Sequence, residues 1–502
     1  MGEPAQGAPA LTIKIDTFIA RQAGFGAWRS GRRLLVFGGS TAEHTSRCRP
    51  DDGLTPLLHH GKVSKEMSTS HARRLAPQPF IRRVSTASLR MRTACCIAAA
   101  LTTVCSLGAA RADDDHRAGA LRLVDSIPIP SSLAALHGFD ISWIDADTQR
   151  FYLADRSNKA IDVIDARTGT FVKAIPGGFA GVKFNAAGAA NNDISGPNGV
   201  VTSGRWLFAT DAPSRVVAID LVHDNVVSTV STSTSENRAD EMAYDPESGT
   251  LLVVNNADDP PFATLIHVNR NTGQLTVGAR ITFDAAHGVD ATNGAEQPVW
   301  DKATGRFYIS IPQVGADPAD GAVARISPTA GQVDALFPVR FCQPAGLALG
   351  PRQDLLLGCS VVFDTAGNPW SATGTTTAAP ISVIMDARNG SIDRRVAGVS
   401  GSDEVWFNRG DGRYYLAARS QAGGPVLGVI DARGQTLVQV LPTINVAGKA
   451  NVFAAGTAHS VAVDPRNNHV LVPLAANNVF PACLNGCVAV FAAPREDDGE
   501  GH

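Results

Sequence analysis

Neither sign of charge prevails in this chain. Its 47 acidic and 44 basic residues nearly cancel over 502 positions, leaving a formal charge of −3. A surface that holds nucleic acid or an anionic membrane needs a basic excess, so neither is an expected partner. Long helical patterns are absent too, which leaves strands to build the core. The familiar cofactor and nucleophile signatures are missing. There is no C-x-x-C-H for covalent haem, no phosphate loop and no G-x-S-x-G elbow. Cysteine is sparse: beyond position 112 only Cys342, Cys359, Cys483 and Cys487 remain.

What is present begins with a change of character near residue 91. Residues 1–90 are rich in Arg, Ser and Pro and carry no sustained period. They read as a disordered leader or a mis-assigned upstream extension. "MRTACCIAAALTTVCSLGAARA" then supplies a basic start, an apolar stretch over 94–110 and an A-x-A arrangement at Ala110-Arg111-Ala112. That is the layout of a secretory signal peptide over 91–112, too short for a comfortable membrane span. A signal anchor that stays in the membrane is the other reading. Cleavage would leave no stable span and deliver the chain to the periplasm or the medium. The four remaining cysteines suit that oxidising setting. Cys342 and Cys359 flank a hairpin and Cys483 and Cys487 a tight turn, so local pairing is expected in both cases. A C-x3-C metal or redox site lacks partner ligands nearby.

The rest of the chain repeats itself. Seven units open with a short strand, meet a turn of Asp, Pro, Asn or Gly, and continue with a strand rich in Leu, Val, Tyr and Phe. Examples are "DISWIDADTQRFYLAD" from Asp140, "EMAYDPESGTLLVVNN" from Glu241 and "EVWFNRGDGRYYLAARS" from Glu404. Polar turns between such runs are hairpin signals. A third and a fourth strand follow in six units. The seventh lacks its fourth strand because the chain ends in an acidic tail, 495–502. "ALRLVDSIPIP", from Ala120, precedes the first unit and has no partner of its own. The reading is all-β: a seven-bladed β-propeller over 120–494, closed by an N-terminal strand that completes the last blade. Two β-sandwiches in tandem are the alternative, but block length and strand count stay near constant. Trp143, Trp206, Trp300 and Trp406 recur early in four units and are expected to be inter-blade core.

"FYLADRSNKAIDVIDARTGTFVKAI" and "YYLAARS…VLGVIDARGQTLVQVL" resemble the YVTN family of propeller repeats. That resemblance implies a fold and leaves function open, since the family spans surface proteins, enzymes and enzyme subunits. Locally, "AEQPVWD" from Ala295 and "GPNGVV" from Gly196 resemble segments of the SMP-30/gluconolactonase family. This second resemblance implies a divalent cation in the channel mouth, with Glu296 and Asn198 among its ligands. The chain departs from that family in blade count, in the order of Glu and Asn, and in lacking a matching second Asn or Asp.

In a propeller the first strand of each blade lines the channel, so its opening residues face one mouth. Round the ring these are His137 or Asp140, Asn198, Asp240 or Glu241, Glu296, Gln343, Asp403 or Glu404, and His459. Such groups on one axis suit Ca²⁺, or Mg²⁺ with waters. They also cap backbone or pair with Arg in a wet channel. Long Gly- and Asn-rich loops, 177–196, 283–294 and 444–458, lead into the same mouth. Two functions follow. One is an exported module that binds a small-molecule or protein ligand there, through His137, Asp140, Asp240, Gln343 and Asp403. The other is a metal-dependent lactonase or esterase with Asn198, Glu241, Glu296 and Glu404 as ligands and His459 as base.

Overall fold

A computed structural model describes residues 119–371, 376–443 and 459–494. The expected leader and signal peptide over 1–112, the loop 444–458 and the acidic tail lie outside the described residues.

One local device recurs at hairpins of five blades. An Asp ends a strand, its carboxylate accepts from the backbone N–H two residues on, and its carbonyl accepts from the N–H four residues on. At Asp165 these bonds come from Arg167, at 3.0 Å, and Gly169, at 2.9 Å. The same pair recurs at Asp245, Asp301, Asp386 and Asp464. The residue four on has positive φ: Gly169, Gly249, Gly305, Gly390 and Asn468. A short acid that bonds its own backbone, followed by a left-handed residue, turns the chain back without side-chain clash.

The hairpins assemble into seven four-stranded antiparallel sheets. Their innermost strands, in blade order 1 to 7, are Ser142–Asp145, Val200–Ser203, Met242–Asp245, Pro298–Asp301, Cys342–Leu349, Glu404–Asn408 and Ala462–Asp464. Each touches the next, and the last touches the first, which closes the ring. Blade 7 takes its outermost strand, Arg122–Pro128, from the other end of the chain. It pairs antiparallel with Cys487–Ala492, from Arg122 opposite Ala492 to Pro128 opposite Cys487. The expected closure is the one found.

Both faces of each blade are buried against neighbours. On one side of blade 1, Phe151, Leu153 and Ile164 pack with Ile127, Leu471 and Val490 of blade 7. On the other, Tyr152, Ile161 and Val163 meet Leu207, Val217 and Ile219 of blade 2. A single sheet has no such second partner, so the ring is what makes the repeat stable. Both expected disulfides are present, Cys342–Cys359 and Cys483–Cys487, with Cα atoms 5.1 and 4.8 Å apart.

Candidate binding site at the channel mouth

In five blades the residue one or two positions ahead of the inner strand is placed by one recurring backbone bond. The N–H of Asp140, Asn198, Asp240, Glu296 and Asp403 donates to the end of the neighbouring second strand, at 2.7 to 3.2 Å. These five positions are therefore equivalent, and their side chains converge. Glu241 and Glu404 follow one residue later. His459 holds the corresponding place in blade 7.

Arginines organise the ring. Arg156 pairs with Asp140 and donates to the Asn198 side-chain oxygen through Nε, at 3.1 Å, and Nη2, at 2.6 Å. Arg238 pairs with Asp240 at 2.7 Å and lies 3.6 Å from Asp140. Arg419 pairs with Asp403 at 3.0 Å. His459 Nε2 sits 3.3 Å from Asp140, its ring stacked on Phe139 with centroids 4.7 Å apart. Three Arg–Asp pairs and an imidazole thus share one mouth.

Charge state varies across the ring. Burial opposes the charge on Asp140, but Arg156, the His459 contact and Arg238 outweigh it and hold this carboxyl well below the usual range. Asp240 is pushed up to about 6, mainly by burial, against the pull of Arg238. Glu296 is pushed up to about 8 by burial and by Asp240 and Asp403. Glu241 and Glu404, from blades 3 and 6, hydrogen-bond to each other across the channel. Burial raises both, with Glu404 adding to the rise at Glu241 and Asp403 to that at Glu404. Two buried carboxyls in contact retain a proton at neutral pH.

His137 does not belong to this ring. It is exposed and its Nδ1 contacts the Ala135 carbonyl at 2.9 Å. Gln343 is buried, and its amide donates to the Pro318 carbonyl at 2.9 Å. The divalent cation implied for Asn198, Glu241, Glu296 and Glu404 does not fit the donors found. The Asn198 oxygen already accepts from a guanidinium, and Glu241 and Glu404 are engaged with each other. Among the described residues no cluster of three or more His, Cys, Asp or Glu has the arrangement to hold a metal ion. Positive charge here comes from arginine.

Sequence reasoning passed over Arg156, Arg238 and Arg419. Arg156 and Arg419 stand at equivalent places, two residues past Ala154 and Ala417, in "LADRS" and "LAARS". An antiparallel hairpin returns its second strand to the mouth where the first began, so these repeated arginines were the available signal. Gln297, beside Glu296, was also missed. Its side chain accepts from Leu347 N–H at 2.7 Å and Val405 N–H at 3.3 Å, tying blade 4 to blades 5 and 6.

Solved structures offer one instructive likeness. Kuenenia stuttgartiensis Hydrazine Synthase aligns at a TM-score of 0.52 and 12% identity, covering 72% of this chain and 98% of that one. The likeness shows the fold alone. No family model and no curated protein matches the sequence.

Proposed function

We propose that the chain is an exported propeller that binds a small polar ligand, one bearing a carboxylate, at the charged mouth of its channel. The observation that carries this is the set of three Arg–Asp pairs converging there, of which Arg419–Asp403 is the most exposed, at 44% and 21% of side-chain surface. A ligand carboxylate can take the place of Asp403 on the guanidinium fork. Asp403 and His459 are then left to meet amine or hydroxyl groups of the same ligand. Export rests on the signal layout over 91–112 and agrees with two disulfides. The expected mature chain starts at Asp113, as N-terminal sequencing of exported protein would read. Among the described residues no helix is long and apolar enough to cross a membrane.

The test is a thermal-shift screen of dicarboxylates, hydroxy acids and amino acids at millimolar concentration, repeated on Arg419→Ala. Arg419 is the useful choice because an exposed pair adds only about 0–1 kcal/mol to stability. Removing buried Arg156 would instead strand Asp140, at a cost of roughly 3–5 kcal/mol. At least one class should bind, and the variant should lose about tenfold in affinity, the worth of one charge-assisted hydrogen bond. If no class shifts the midpoint, or if Arg419→Ala binds as tightly as the parent, the mouth is not the site. A lactonase remains the second function, but it asks for a cation that these donors do not hold. Asp140, which would orient His459, is moreover claimed by two arginines. Lactone hydrolysis lost in His459→Ala would reverse that preference.

A further inference from the structure

Towards the end of the inner strands remote from the ring, the channel changes chemistry. A cavity of about 290 Å³ lies among the inner strands of blades 1 to 6. It meets a wider hollow of about 500 Å³ where those strands turn, and Trp143, Trp406 and Phe407 border both. The recurring tryptophans are therefore more than the inter-blade core expected of them. Trp206 is buried in that sense, with its indole N–H on the Arg270 carbonyl at 2.7 Å. Trp143 and Trp406 pack against blade cores too, yet each keeps part of its surface uncovered. They meet edge to face, centroids 5.2 Å apart. The Trp143 indole N–H is satisfied by Thr202 Oγ1 at 3.0 Å, so this side chain offers a guest its ring surface alone.

Two charged groups bordering this hollow have capacity to spare. Asp145, Asp245, Asp301 and Asp464 end the inner strands of blades 1, 3, 4 and 7, and in each Oδ1 accepts from the backbone N–H two residues on. Side chains take Oδ2 as well: Ser248 at Asp245, Thr304 and Gln353 at Asp301, and Gln149 at Asp464. At Asp145, Oδ2 accepts nothing from the described residues. Arg409, exposed on the turn after the inner strand of blade 6, has a side chain with no ion pair or hydrogen bond among the described residues. The other acid on the hollow, Asp147, lies 3.7 Å from Arg466. Asp145 and Arg409 thus border one aromatic hollow, opposite in charge, without reaching each other.

We infer that the lower channel is a second binding site, for a free aromatic amino acid. Indole and phenyl walls take its ring through edge and face contacts. A cavity of about 150 Å³ holds benzene, so roughly twice that volume has room for a phenyl or an indole side chain. The α-carboxylate goes to the Arg409 fork and the α-ammonium to Asp145. A ligand with a single charge leaves one of these two groups unanswered, whereas a zwitterion meets both. The inference uses the lower channel only and stands or falls apart from the mouth.

Four probes test it in the full chain: L-phenylalanine; phenylpropionate, which lacks the ammonium; phenethylamine, which lacks the carboxylate; and L-alanine, which lacks the ring. Saturable changes in tryptophan fluorescence should rank phenylalanine first and alanine last. Each one-charge analogue should bind about tenfold more weakly than phenylalanine, the worth of one charge-assisted hydrogen bond. Arg409→Gln should weaken phenylalanine and phenylpropionate about tenfold and spare phenethylamine. Asp145→Asn keeps the Oδ1 acceptor of its turn; it should weaken phenylalanine and phenethylamine and spare phenylpropionate. If that variant fails to fold, Arg409→Gln decides, since the Arg409 side chain has no partner to lose. Absence of saturable phenylalanine binding overturns the inference. So does any of the other three probes binding as tightly, or Arg409→Gln binding phenylalanine as the parent does. A phenylalanine signal abolished by Arg419→Ala would place the guest at the mouth and overturn it equally.

Discussion

Glu296 keeps its proton at neutral pH because burial, Asp240 and Asp403 together outweigh Arg238 and Arg419. The consequence for stability has a definite sign. An unfolded Glu releases its proton near 4.5, whereas this one holds it to about 8 in the folded state. Across that window the native state binds the extra proton, so stability falls as pH rises, at about 1.4 kcal/mol per pH unit for one proton. Asp240 acts in the same direction between 3.8 and about 6. Asp140 acts oppositely, its contribution being lost only as pH falls below the ordinary carboxyl range. Glu296→Gln should therefore flatten the decline between about pH 5 and 8 by roughly that slope. Urea unfolding at several pH values measures it. A variant whose stability keeps the parent's pH profile would show that Glu296 is ionised in the folded chain.

At the scale of the element, the hairpin turn is where the sequence is most literal. Where it occurs, the Asp-x-x-x-Gly pentad states both its bonds and its left-handed residue, and with the repeated apolar runs around such polar turns it let hairpins, strand count and blade number be read in advance. Gly305 isolates the backbone part of that code. Its φ is +63°, and a Cβ added there would meet nothing within 4 Å. Gly305→Ala should cost about 1 kcal/mol, the left-handed penalty alone, read as a lower urea midpoint with an unchanged slope. A loss several times larger would mean that the turn is held by something other than φ. The candidate site was less legible than the fold. Asp140, Asn198, Asp240, Glu296 and Asp403 could be placed because strand onset alone aims them at the mouth. Arg156 and Arg419 could not, because their position depends on the second strand's return. The Glu241–Glu404 contact depends on the width of the ring, which no local pattern encodes.

Over the described residues the chain is a closed ring with a non-covalent fastening. Leu121, Ile127 and Ile129, within or beside the borrowed strand, are buried to 4% exposure or less. Leu121 also exchanges two hydrogen bonds, both 2.9 Å, with the side chain of Gln439 on the outer strand of blade 6. The N-terminal segment therefore holds blade 7 through its backbone, and blade 6 through the Gln439 amide, the Arg413 guanidinium on the Gly119 carbonyl at 3.4 Å and the packing of Leu121. Burying three large apolar side chains contributes roughly 2 kcal/mol each, a large share of the about 5–15 kcal/mol that a folded domain keeps in total. Deleting 120–130 also bares the edge of Cys487–Ala492, inviting aggregation. The shortened chain should unfold several degrees or more below its parent, or fail to accumulate. Adding the 120–130 peptide to whatever folds should recover part of the loss, because the latch needs no covalent link to act. A gentler version is Ile127→Ala, which should cost about 2–5 kcal/mol in a single transition if the disc unfolds as one unit. Blade 7 melting by itself, ahead of the others, would show that the ring is not closed by this strand.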